Sequence, residues 1–399
     1  MSLDLTKIAA QASTMVARLK EGHAERQQRL HYARQIFGGE AIDLDKLRKK
    51  IAASRTTWLV AELADGLAER YPAPPLPAEF SVMATDGSHI DVDRHRSTRC
   101  YLINIGAVTI RYGAEPDAVL DSVPHLYAED EDLAIKPAAA AGREQMVEGT
   151  LLGIKRAVEE CRHLSILAAE QPPGSTTLAL LDGSLILWGL EAYPDFVSEA
   201  LLENGFLPCL EEMRKQNSDK KLALASYISF PRSTDVVNVL RVAICPHEAS
   251  DCDRFCPPHK DRDCEGVAGV TDRELFMDVL APGERSARFI SPSKITKERY
   301  GEHRVYFCYL RLDEEVARVE MPRWVAENGD LLGIVHALVL DQCWRGQGYP
   351  VALSEAHEQA VVTAADKAGF WQLVESLCIE EKIPTLTSAK SFSKRTRWV

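Results

Sequence analysis

The sequence has no run of roughly eighteen or more apolar residues, the length a helix needs to cross a bilayer. Its first residues, Met1 to Gln11, lack the charged-then-apolar pattern of a secretory signal. No membrane association is expected, and the cytoplasm is the expected location. The Gly-x-x-x-x-Gly-Lys-Ser/Thr loop that cradles nucleotide phosphates is missing too: Gly149 to Lys155 comes near, with the wrong spacing and in a helical context. Any motor activity would have to come from another protein. The absence of a fixed-period repeat or a low-complexity tract argues against solenoids and arrays. Positive charge is scarce: 47 Lys and Arg stand against 59 Asp and Glu, a net charge of −12. A globally acidic surface repels nucleic acid, so an enzyme of that class would need metal ions, clustered basic side chains or a partner to hold the strand.

What is present suffices for a large core. The 399 residues are 46% hydrophobic and 27% charged, values of a globular protein. That length exceeds what one core usually organises, so one large domain with insertions and a helical appendage is expected. Ten cysteines in a chain without an export signal read as reduced thiols, core fillers or metal ligands rather than disulfides.

Residues 1–72 lack strand-like runs and are rich in Ala, Leu, Arg, Lys and Glu at helical spacing, up to the Pro-rich stretch Tyr71 to Pro77. They read as an N-terminal helical extension of two or three helices and a linker. Residues 78–380 then read as one α/β domain, a sheet flanked by helices, with a Cys-rich insertion at about 245–270, followed by a basic tail over 381–399. Phe80 to Ala84 is an apolar run that stops at Asp86-Gly87-Ser88, and Cys100 to Tyr112 is a long β-branched and aromatic strand. An acidic, Pro-containing loop follows. Residues 141–171 read as one helix, with Val147, Leu151, Ile154, Val158, Cys161 and Leu164 recurring at three to four residues. Thr176 to Leu181 is a buried strand stopping at Asp182-Gly183-Ser184; a helix over 190–216, a strand over 222–230 and a helix over 235–242 continue the alternation.

Two strands thus end in the same tripeptide. An Asp closing a buried strand, followed by a Gly that lets the chain turn away, lies where α/β sheets bind ligands. If the two strands are neighbours, Asp86 and Asp182 meet, and like charges that close call for a divalent cation between them. The plainer account is turn chemistry, which Asp, Gly and Ser all favour. A third carboxylate is available from the long helix. Pro172 to Asp182 spans at most roughly 33 Å while a helical residue climbs about 1.5 Å, which excludes Glu170 and leaves Glu160, Glu159 and Glu148, with Glu160 favoured.

These residues resemble the NurA nuclease family in four places: the first Asp-Gly-Ser followed by the strand Cys100 to Gly106, a helical Glu, the second Asp-Gly-Ser-Leu, and the block Gly348 to Glu358. The likeness spans residues 80–370. It implies that Asp86, Glu160, Asp182, Tyr349 and His357 form the active site, with Asp86, Glu160, Asp182 and His357 holding metal. It further implies an RNase H-like mixed sheet and a manganese-dependent deoxyribonuclease, with magnesium as an alternative, acting as single-strand endonuclease and 5′ to 3′ exonuclease. Also implied are a homodimer and partnership with a HerA-type hexameric ATPase in DNA-end processing, for double-strand break repair or for defence. Two metals would activate water and stabilise the leaving oxygen, and His357 would complete the metal shell or move protons.

Between Cys245 and Cys264, four cysteines and two histidines (Cys245, His247, Cys252, Cys256, His259, Cys264) fall in a Pro- and Asp-rich segment. A structural zinc or iron–sulfur site is one reading, although the spacings match no common pattern; free thiols in a surface insertion, or a redox sensor, are the others. Arg94, His95, Arg96 and Arg99, and Arg273, Arg285, Arg288, Lys294 and Lys297, are candidate phosphate contacts, against the plainer role of surface or acid-paired charges. The competing function is a non-catalytic adaptor docked on an ATPase ring, with the acids serving only as turn residues.

Overall fold

A computed structural model describes residues 4–39, 43–137, 143–256, 262–384 and 386. The chain divides into two compact units. The first comprises Met1–Ala73, Ser229–Lys294 and Tyr306–Val319. Its leading helix α1 (Leu5–Phe37) starts where the Asp4 carboxylate accepts the N–H groups of Thr6 and Lys7, the usual satisfaction of unpaired first-turn donors. Only its last turns bury apolar side chains, Leu30, Ala33 and Phe37. These join Leu47 and Ile51 of α2 (Leu44–Ala53) and the aromatic group Phe276, Phe289, Phe307 and Tyr309. Beneath that cluster the helix Asp235–Ile244 opens onto a buried carboxylate: Asp272 accepts the N–H groups of Val236 and Val237 at 3.1 and 2.8 Å and the Tyr309 hydroxyl at 2.6 Å.

Three of the basic residues expected on a phosphate path turn out to hold this unit together. Arg288 grips Asp65 through Nε and Nη2 at 2.8 and 2.5 Å, Arg285 is buried over the Tyr71 ring, and Arg273 stacks on Phe230. The Cys-rich insertion forms a short helix, Cys252–Phe255, and a turn, Asp263–Val267. Cys245, Cys252, Cys256 and Cys264 are free thiols and His247 stacks on Phe255, while His259 lies outside the described residues. Among the described residues no three His, Cys, Asp or Glu side chains are grouped to hold a metal. The structural zinc or iron–sulfur reading therefore finds no support.

The second unit, Pro74–Ile228, Ile295–Val305 and Glu320–Val399, carries the expected α/β sheet. Its strands are β1 (Phe80–Ile90), β2 (Tyr101–Tyr112), β3 (Asp117–Tyr127), β4 (Thr176–Asp182) and β5 (Lys221–Ile228). They lie in the order β5-β4-β1-β2-β3: an antiparallel meander β1-β2-β3, flanked by β4 and β5 running parallel to β1. This is the RNase H-like mixed sheet. Val82, Met83 and Ala84 of β1, and Leu178 to Leu180 of β4, are buried, as befits strands covered on both faces. Among its helices are α3 (Thr150–Glu170), which packs on β1, and α4 (Gly329–Arg345), α5 (Val351–Ala360) and α6 (Ala364–Glu380), of which α5 lies on β1 and β2.

Three sequence readings are corrected here. The strand containing the first Asp-Gly-Ser does not stop there: β1 runs on to Ile90, with Gly87 paired in register with Ile105. The supposed acidic loop is β3, an edge strand whose Pro124 lies opposite Asn104; an edge strand can spare the N–H that proline lacks. The helix read from residue 141 begins at Thr150, which leaves Glu144 and Glu148 ahead of it. The expected tail over 381–399 falls almost wholly outside the described residues. Among the described residues no helix is long and apolar enough to cross a membrane.

Candidate functional site

The parallel register Thr85 opposite Leu181 places Asp86 and Asp182 at the next step of neighbouring strands. In-register residues on parallel strands point to one face, so the two carboxylates project together. Asp86 pairs across the sheet with Gly106 of β2, and this is the face that α5 covers. A Cβ at Gly106 would stand 2.0 Å from the Ala356 carbonyl oxygen. Glycine there lets the helix sit directly on the strand. Asn104, on the same face, donates its side-chain amide to the Gln359 and Ala360 carbonyls at 3.2 and 3.0 Å, and Ser88 donates to Ala360 as well. The last turn of α5 is thereby pinned, and His357 meets Asp86, Nδ1 to Oδ2, at 2.7 Å.

Tyr349 arrives from the other end of α5. The turn Gly346-Gln347-Gly348 carries positive φ at its last two residues, and Gln342 of α4 accepts the Ala352 N–H at 3.1 Å, capping α5. Tyr349 packs edge-on against Tyr227 of β5, the register partner of Asp182 on β4, and its hydroxyl faces the Asp182 carboxylate. Desolvation raises the Asp182 pKa and Asp86 adds repulsion, against the lowering by that hydroxyl. The segment after Asp182 is also held: Glu320 accepts from Ser184 Oγ at 2.8 Å and Leu185 N at 3.0 Å, and the Tyr300 hydroxyl donates to the Leu185 carbonyl at 3.0 Å.

Glu160 approaches from the opposite face, on α3. The face of β1 it meets is that of Thr85, whose hydroxyl donates to the Glu160 carbonyl at 2.9 Å, and of Gly87. A Cβ at Gly87 would lie 2.6 Å from Glu160 Oε1. The glycine of the first Asp-Gly-Ser thus makes room for a carboxylate instead of turning the chain. The acids of the two faces come within reach of one another because pairing with β4 ends at Thr85, whereas pairing with β2 continues to Ile90. Burial pushes the Glu160 carboxyl up to about 8; Arg156 opposes the shift, and the charges of Asp86 and Asp182 add to it.

Asp86, Glu160, Asp182, Tyr349 and His357 therefore stand in one neighbourhood. The other helical acids do not join them: Glu159 pairs with Arg162 at 3.1 Å and Glu148 is exposed ahead of the helix. Arg96 is no candidate phosphate contact, being buried between Asp93 and Glu375 with its guanidinium 4.6 Å from the Trp371 ring centre. Each acid faces a protein group: Asp86 the His357 ring, Asp182 the Tyr349 hydroxyl, and Glu160 the Arg156 guanidinium, a charge contact without a hydrogen bond. That explains why no ready-made ligand set appears among the described residues. The donor chemistry still suits a hard divalent cation, since these are carboxylate oxygens, and Glu160 Oε1 is buried without a hydrogen-bond partner.

Sequence reasoning missed the supports: Gly106, Asn104, Gln342, Glu320 and Arg156. One signal was there for two of them. Asn and Gly inside an otherwise β-branched strand weaken it, and so mark a close approach by something else.

A mixed sheet in this order, with acids in register on two adjacent parallel strands and a third reaching in from a covering helix, belongs to the α/β nuclease folds. The NurA domain model matches residues 80–362, and the chain belongs to that family. A crystal structure of NurA with manganese is similar at 12% identity and a TM-score of 0.35, over 76% of this chain and 91% of that one. No curated protein matches the sequence.

Proposed function

We propose that the chain is a metal-dependent deoxyribonuclease that hydrolyses phosphodiester bonds, cutting single strands internally and degrading ends 5′ to 3′. The observation that carries this reading is the convergence of Asp86, Asp182 and Glu160, from two sheet faces, at the end of β4. Asp86, Glu160, Asp182 and His357 would hold manganese, with magnesium as the alternative; bound there, the metal would supply Lewis acidity and a nucleophilic water. The chain's own groups set the stage. Tyr349 would orient the Asp182 carboxylate with its hydroxyl. His357, exposed and tied to Asp86 through Nδ1, keeps Nε2 as the ring nitrogen that would bind the metal.

Without a nucleotide-binding loop of its own, the nuclease would work beside a HerA-type hexameric ATPase, as a homodimer, in end processing for repair or defence. Manganese-dependent cleavage of single-stranded DNA tests the core of this. The wild-type chain should cut, and Asp86→Ala should lose at least about a hundredfold in rate. An uncut strand at every metal concentration would favour the adaptor docked on an ATPase ring.

A further inference from the structure

We propose that Arg156, with His89 beside it, forms a phosphate-binding subsite on the α3 side of the acid cluster, and that Arg156 exchanges Glu160 for a backbone phosphate of the nucleic-acid strand. The inference rests on the nuclease reading for its ligand and on geometry for its residues.

Arg156 lies one helical turn before Glu160, and its Nε stands 3.0 Å from Glu160 Oε1. Yet neither atom makes a hydrogen bond, because the two are close without being aligned; both are buried. The contact is a charge pairing that leaves the planar donor fork unused. That fork suits phosphate better than any other side chain does. The Arg156 stem is held at Gly87, where a Cβ would meet its Cγ at 2.9 Å, and the side chain keeps 34% of its surface exposed. A rigid stem and an open head are what a strand-gripping arginine needs.

His89 shares the Gly87 face of β1, two residues further on, in the stretch beyond the end of β4. Its Nδ1 is buried and unpartnered, and its Nε2 is 3.8 Å from Asp91, beyond hydrogen-bond reach. Burial lowers the His89 pKa; Asp91 opposes the shift, and the charges of Arg156 and Lys367 add to it. The Arg156 guanidinium, set beside the clustered carboxylates, supplies locally some of the positive potential that a chain of net charge −12 lacks overall. A cation held by Glu160 would also compete with Arg156 for that carboxylate, freeing the guanidinium for the strand.

The test is binding of a fluorescein-labelled oligothymidylate to the full chain in EDTA, read by anisotropy across a salt series. Arg156→Gln should weaken binding about tenfold and reduce the slope of log affinity against log salt by about one. Arg156→Lys should recover part of the loss. At about pH 9, where the Glu160 carboxyl is ionised, Glu160→Gln removes the competing charge and should tighten binding severalfold. A methylphosphonate placed at each phosphate in turn should abolish the Arg156→Gln penalty at one position. Unchanged affinity and slope in Arg156→Gln, or no tightening in Glu160→Gln, would overturn the subsite and leave Arg156 a counter-ion. Cleavage in manganese is scored separately: a wild type that never cuts but shows the Arg156 effects retains the subsite and loses the nuclease, whereas a wild type that cuts with Arg156→Gln binding normally does the reverse.

Discussion

Glu160 is the residue in which fold and function are in tension. Its carboxyl is lifted to about 8 from an ordinary 4.5, so the folded protein holds a proton there that the unfolded chain releases. A raised carboxyl pKa gives stability that is complete below about 4.5 and lost as pH climbs towards 8. Glu160→Gln keeps the shape and removes the ionisation. The variant should therefore match the wild type near pH 5 and exceed it at pH 8, by about 1–3 kcal/mol in urea titrations, while losing metal-dependent cleavage. A stability difference that does not grow with pH would refute the burial argument. Asp182 shifts in the same direction, desolvation again being the largest cause.

At the scale of elements, the decisive contact is α5 on β2. With the Gly106 Cβ position 2.0 Å from the Ala356 carbonyl oxygen, Gly106→Ala must push the helix away. Overpacking of this kind costs about 1–3 kcal/mol; here it also carries His357 off Asp86. The expected result is a cleavage rate down at least tenfold with far-UV circular dichroism intact, and wild-type activity would show that His357 needs no such placement. The strands β1, β2, β4 and β5 were legible in the sequence because apolar and β-branched runs are read locally. The neighbourhood of Asp86 and Asp182 was legible because each closes such a run. What local reading could not supply was the edge strand β3, whose side chains are mostly exposed and so carry no burial pattern. Nor could it supply the start of α3 at Thr150, since Val147 continues the apolar spacing from outside the helix. Among the glutamates, Glu160 could be told from Glu159 only by which of them faces Gly87, a fact of three-dimensional packing.

For the molecule as a whole, clustered acids predict linkage between cation binding and folding. A ligand that binds only the folded state stabilises it by about 2.7 kcal/mol at a hundredfold excess over its dissociation constant. Manganese should raise the melting temperature of the wild type by several degrees, chelation should reverse the rise, and Asp182→Asn should abolish it. Identical melting curves with and without manganese would remove the metal from the proposal. The net charge of −12 bears on association: with long-range repulsion screened by salt and short-range contacts weakened by it, strand capture should depend on the few cations around β1 more than on the surface at large.

The tripeptide Asp-Gly-Ser occurs twice on neighbouring strands, and its glycines answer to different constraints. Gly87 lies in extended pairing with Glu160 against it, while Gly183 has φ of +80° and nothing within 4 Å of its missing Cβ. Saturating the two codons and selecting for folded, cutting protein should return unlike alphabets: glycine alone at 87, where space is the limit, and glycine joined by asparagine or aspartate at 183, where handedness is.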